Sequence, residues 1–135
     1  MAYFDTNVLI YAFTKNTDDS KQKDVSIKLI EEAIQNDTLI VSEVVLCEFA
    51  FISNKINEYK NDIDNNLEFL ATFLQPSHPH ITQRMIEILK ETNLYMSSFD
   101  VYHLAFAEYY NSKLYTFDNG FKKLQNISKI ELVIK

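Results

Sequence analysis

Four acidic side chains stand in segments that are otherwise apolar. Asp5 ends a short apolar run that begins at Met1, and it precedes Thr6-Asn7 and a second apolar run, Val8 to Phe13. Glu48 interrupts Ser42 to Phe51 (SEVVLCEFAF), Asp100 lies within Ser97 to Ala107 (SSFDVYHLAFA), and Asp118 lies within Lys113 to Phe121 (KLYTFDNGF). Carboxylates are hard oxygen donors, so a convergent set suits Mg²⁺ or Mn²⁺ rather than zinc, and sites of that kind serve phosphoryl chemistry. Each acid also has a plain structural use. Asp5 could cap a helix starting at Thr6. Asp100 falls in a first helical turn behind Ser97 or Ser98, where an acid gains roughly 0.3–1 kcal/mol from the helix dipole. Asp118 belongs to an Asp-Asn-Gly turn. Ser, Thr or Asn would serve equally well in such places, so capping leaves the repeated choice of a carboxylate unexplained.

Glu48 has a different setting. On a helix starting near Ser42, its neighbours three and four residues away include Val44, Val45, Phe51 and Ile52, which place it on an apolar face. A carboxylate held there must be protonated, paired or metal-bound, because an isolated buried charge is costly; the plain alternative is a head group that reaches water or a nearby Lys. Glu43 points elsewhere and reads as a solvated acid at the helix start.

The elements that must position these acids alternate in type. Strands are expected at about 2–5, 38–42, 113–117 and 130–134, where Ile, Val, Leu, Tyr and Phe concentrate. Apolar spacings of three and four predict helices over 22–35, 43–55, 60–74, 82–92 and 99–111, with shorter ones near 7–13 and 118–125. Such alternation implies a parallel sheet, whose ligands bind beyond the carboxyl ends of the strands. The two prolines confine 75–80 (QPSHPH) to an edge strand or a loop, and Thr82 is the expected cap of the following helix. Thr17 to Ser20 reads as a polar connection between helices.

Composition sets the outer limits. A chain of 135 residues, 47% of them hydrophobic, is expected to form one domain spanning 1–135, and a single Gly and two Pro leave little room for linkers. Cys47 is the only cysteine, which excludes an internal disulfide or cysteine-based zinc cluster; it is expected as a small buried apolar side chain. With no signal-peptide core and no membrane-length apolar run, a cytoplasmic address is the default expectation. A net charge of −6 disfavours phosphate-rich partners, but two dications held by the four acids would bring the balance to −2. The Tyr and Phe content is assigned to core rather than interface. Lys21, Lys23, Lys28, Lys122 and Lys123 are candidate phosphate contacts, though a solvated face explains them equally well.

In order and spacing, Asp5-Thr6-Asn7-Val8-Leu9, Ser42…Glu48-Phe49, Asp100-x-x-His103-Leu104-Ala105-x-Ala107 and Thr116-x-Asp118-x-x-Phe121 together resemble the PIN domain. The chain most resembles the small VapC-type toxin ribonucleases of bacterial toxin-antitoxin pairs, nearly end to end. That resemblance implies an α/β fold of three layers, α/β/α, with a parallel sheet of about five strands. It also implies that Asp5, Glu48, Asp100 and Asp118 bind one or two Mg²⁺ or Mn²⁺ ions and hydrolyse an RNA phosphodiester. Thr6 and Asn7 would orient the Asp5 loop, and Thr116 would hydrogen-bond within the cluster. A homodimer and a silencing antitoxin are the implied partners. The sequence departs from the family pattern at Gly120, where many relatives carry a further acid. His103, one turn after Asp100, is expected in a packing or polar supporting role, and His78 and His80 in a loop. Alternatives are an RNA-processing nuclease without an antitoxin and a catalytically weak interaction module. A phosphatase with an Asp-x-Asp nucleophile is disfavoured because Asn7 replaces the second Asp.

Overall fold

Ala2, Tyr3 and Phe4 form β1 (Ala2–Phe4), and all three are buried, as expected of a strand covered on both faces. The computed structural model describes residues 1–135. Beside β1 run β2 (Leu39–Ile40) and β3 (Lys113–Thr116), and β4 (Leu132–Ile134) flanks β3, giving the order β2-β1-β3-β4 with every neighbour parallel. A fifth partner is only a single bridge. Val41 donates to the Phe73 carbonyl and accepts from the Gln75 amide, so Leu74 lies beside Val41 in parallel. The sheet therefore comes near the expected five strands.

Parallel neighbours need long crossovers, and helices supply most of them. The chain runs from β1 through α1 (Thr6–Phe13) and α2 (Ser20–Gln35) to β2. It then passes through α3 (Glu43–Lys55), α4 (Lys60–Ala71), α5 (Pro79–Thr92) and α6 (Ser98–Tyr109) to β3, and a short 3-10 helix (Asn119–Leu124) leads to β4. The helices pack as two groups, α5 against α6, and α1 against both α2 and α3 with α4 behind α3. With the sheet they form the three-layer α/β/α arrangement. The buried hydrophobic residues make one cluster, with Tyr3, Phe4, Phe49, Phe106 and Phe121 as its largest side chains.

Several expectations shift. Thr82 caps nothing: α5 begins at Pro79 with His78 in the cap position, because proline's fixed φ and missing N–H suit the first helical turn. The edge-strand signal lands at Leu74, just before the prolines. Helix α4 stops at Ala71 because Phe73 and Gln75 leave it to pair with Val41. Cys47 is exposed rather than buried. Val45, Phe49 and Ser53 form the buried stripe of α3 at four-residue spacing, and Cys47 falls between them on another face. The aromatics divide, since Phe51, Tyr59, Tyr95 and Phe99 are largely exposed. With one glycine in the chain, asparagine takes left-handed positions, as at Asn93 (φ 58°) behind α5.

Candidate active site

The sheet grows from β1 in both directions, to β2 on one side and to β3 on the other, so the β1/β3 boundary is a topological switch point. In open α/β sheets the crevice beyond such a point is where ligands bind. Pairing of Phe4 with Tyr115 sets Asp5 beside Thr116 at that end, and the Asp5 amide donates to the Tyr115 carbonyl at 2.9 Å.

Asp5 is 6% exposed and caps α1. Its Oδ1 accepts from the Thr6 amide at 2.8 Å, and its Oδ2 accepts from the Thr116 hydroxyl at 2.9 Å. Both donors are neutral. Burial raises the Asp5 pKa, and these donors and the nearby His103 ring offset it only in part. Thr116 also accepts from the Asp118 amide at 2.9 Å, which ties the turn after β3 to Asp5. Asp118 caps the 3-10 helix by accepting from the Gly120 amide at 2.7 Å. A Cβ at Gly120 would meet Asp118 Oδ1 at 3.0 Å, so the glycine that departs from the family pattern leaves room for this conformation of Asp118.

Glu48 is held from two sides. Its Oε1 accepts from the Thr6 hydroxyl at 2.9 Å and pairs with His103 Nε2 at 2.6 Å. Burial pushes its pKa up, but the His103 ring and the Thr6 hydroxyl outweigh burial and bring it below the usual value. Thr6 thus bridges Asp5 and Glu48 through its amide and its hydroxyl. Asn7 makes no comparable link: its side chain is exposed and faces a groove beside Asp118.

Behind Glu48 lies a relay with signals too dispersed in sequence to be assembled there. His103 is fully buried, and its Nδ1 meets the Tyr3 hydroxyl at 2.7 Å. That hydroxyl meets Ser42 Oγ at 2.7 Å, and Ser42 caps α3 by accepting from the Val45 amide at 3.1 Å. The Tyr3 hydroxyl thus links the ring to the α3 cap, Nε2–H donates to the Glu48 carboxylate, and every polar atom of the relay has a partner.

Asp100 lies in the first turn of α6, where the Ser97 side chain makes no cap bond. It is half-buried, and its pKa is pushed up to about 6 by burial first and then by Asp5, Asp118 and Glu48, with His103 acting in the opposite sense. Asp100 therefore senses the other three acids. None of the four forms an ion pair with Lys or Arg. His78 and His80 lie elsewhere, against Tyr109. Lys23 is committed to capping α1, donating to the Tyr11 and Thr14 carbonyls, which removes it from the candidate phosphate contacts.

The sequence matches the family described as PIN domain over residues 2–127, and the chain belongs to that family. PIN domains are generally nucleases that use divalent metal ions. The fold is shared with a chain of a toxin-antitoxin complex from Klebsiella pneumoniae, at a TM-score of 0.63 and 20% identity, covering 94% of this chain and 92% of that one. The chain matches no curated protein.

No three His, Cys, Asp or Glu side chains are gathered closely enough here to enclose an ion. In kind and in charge the site still fits a hard dication. Its donors are all carboxylate oxygens, no Lys or Arg pairs with them, and burial followed by the other three acids raises the Asp100 pKa. Asp118 is exposed and Asp100 half-buried, which leaves both side chains room to turn, while Asp5 is fixed by two hydrogen bonds.

Proposed function

We propose that the protein is a Mg²⁺- or Mn²⁺-dependent endoribonuclease and the toxin of a toxin-antitoxin pair. The observation that carries the reading is a set of four carboxylates without Lys or Arg partners, the other three raising the pKa of Asp100, at the switch point of a PIN-fold sheet. Asp5, Glu48, Asp100 and Asp118 would hold one or two ions, which when bound offset charge on the scissile phosphate and lower the pKa of water. The chain's own part is positioning. Thr6 spaces Asp5 from Glu48, Thr116 fixes Asp5 against the Asp118 turn, and α6 brings Asp100 on the same helix as the His103 that steadies Glu48. Held in this way, Asp5 and Glu48 keep their places at little cost in reorganisation.

The toxin assignment draws on the fold shared with the chain from the Klebsiella complex. An antitoxin, a second copy of this chain and a cytoplasmic setting belong to the same proposal. No helix is long and apolar enough to cross a membrane.

The test is cleavage of total cellular RNA by wild type, Asp5→Asn and Asp100→Asn, in Mg²⁺, Mn²⁺ or EDTA, with product ends mapped. Metal-dependent cuts lost at least a hundredfold in both variants are expected, equivalent to about 2.7 kcal/mol of barrier. Undiminished cutting by both would remove these acids from the mechanism, and silence of the wild type under every metal condition would favour an interaction module.

A further inference from the structure

Beside the acids, a groove of about 560 Å³ opens between α1, the polar connection into α2, and the turn after β3. Asn7 and Asp118 form its border with the acidic site. Its walls include Tyr11 and Phe117, whose rings meet edge to face at 5.8 Å between centroids. Thr17, Asp18 and Gln22 line the side formed by the polar connection. The Thr17 hydroxyl is buried without any hydrogen-bond partner.

We propose that this groove takes a nucleobase of the RNA strand next to the cleaved bond, guanine in preference to the others. The inference rests on the nuclease reading of the acids. Phosphate is unsuited to the groove because no Lys, Arg or His lines it, while Asp18 and Asp118 do. An uncharged aromatic ring suits it: single-stranded bases are bound by stacking on aromatic side chains and by hydrogen bonds to their exposed edges. The Tyr11 backbone is held by Lys23 Nζ, which donates to its carbonyl and that of Thr14, and the Tyr11 ring packs edge to face on Phe117.

The acceptors in the groove explain the choice of base. Asn16 donates both amide hydrogens to the Ile56 and Asn57 carbonyls, each at 3.1 Å, which leaves its oxygen as an acceptor. Asp18 accepts only, and together with burial and Asp19 it raises the pKa of the Tyr11 phenol, so its charge is felt at that ring. Guanine presents adjacent N–H donors from N1 and N2 along one edge, a match for a carboxylate. Uracil offers a single ring N–H between two carbonyl oxygens.

The test is an NMR titration of the full-length protein in EDTA with each of the four nucleoside 5′-monophosphates. Guanosine monophosphate is expected to shift the side-chain amides of Asn7, Asn16 and Gln22. Tyr11→Ala should weaken that binding about tenfold, Tyr11→Phe should retain it, and Asp18→Asn should abolish the preference among bases. The groove assignment is overturned if no nucleotide shifts these amides, or if Tyr11→Ala and Asp18→Asn bind as wild type does. Cleavage of random-sequence RNA separates this claim from the one beneath it. Metal-dependent cuts with no base preference, unchanged in Tyr11→Ala, would end the groove reading and leave the nuclease; guanosine shifts without any cleavage would end the nuclease reading and, with it, the groove's place beside a cleaved bond.

Discussion

Glu108 and Asp5 are both carboxylates packed deep in the protein, and the chain treats them in opposite ways. On α6, Glu108 is 6% exposed and meets Arg84 of α5, itself 13% exposed, at 2.6 Å. Arg84 also donates to the Ile127 carbonyl, and Glu108 accepts from the Lys129 amide, so the pair joins two helices to the segment before β4. Eight residues earlier on the same helix, Asp100 faces Asp5, Glu48 and Asp118 with no Arg or Lys among them. The chain can supply a cation to a buried acid when the purpose is to join elements. It withholds one at the switch point, where repulsion is kept in a form that an incoming dication would relieve.

The comparison breaks most visibly if Arg84 is removed. Arg84→Ala takes the cation from a partly buried Glu108, which keeps only the Lys129 amide, and about 1.5–3 kcal/mol of stability should be lost in urea unfolding, while Asp5→Asn in EDTA should hold or gain stability. Equal losses in both variants would mean that the two acids do the same work. A smaller effect is expected at His103. His103→Ala removes the donor that steadies Glu48 and should weaken Mn²⁺ binding about 10–100-fold, measured by electron paramagnetic resonance titration beside a melting curve. His103→Gln, which keeps an N–H donor near the Nε2 position, should recover most of it; equal binding by wild type and His103→Ala would show that the relay only fills space.

The smallest effect sharpens the electrostatics. The folded-state pKa of Asp100 is raised from 3.8 to about 6, so the stability linked to its proton is fully present below the unfolded value and is lost as pH rises through about 6. In EDTA, Asp100→Asn should therefore melt close to wild type near pH 4 and above it near pH 7.5. The gap should be modest and shrink in salt, because the group is half-exposed. A difference in melting temperature that does not change across that range would show that Asp100 does not sense its acidic neighbours.

Much of this was legible along the chain because the signals were local. Helix α3 follows the expected range of 43–55, since Ser42, the following Glu43 and the apolar spacing all lie within a few residues of one another. Asp5, Asp100 and Asp118 were visible because each stands at the edge of a strong apolar segment. The Thr82 cap failed where two local signals competed and Pro79 prevailed. Cys47 and the exposed aromatics were misplaced because composition reports how much apolar surface exists but not which face of a helix meets the sheet.

By itself, then, the sequence determined the parallel α/β plan and marked the four acids as candidates, since periodicity and residue type are properties of short segments. Only the tertiary structure decided that Tyr3, Ser42 and His103 form one relay to Glu48, and that Arg84 answers Glu108. It likewise decided that Tyr11, Asp18 and Phe117 share a groove. Some of those partners lie a hundred residues apart or more, and nothing in the type of a buried histidine or an exposed aspartate names the distant group that strand order and helix packing bring against it.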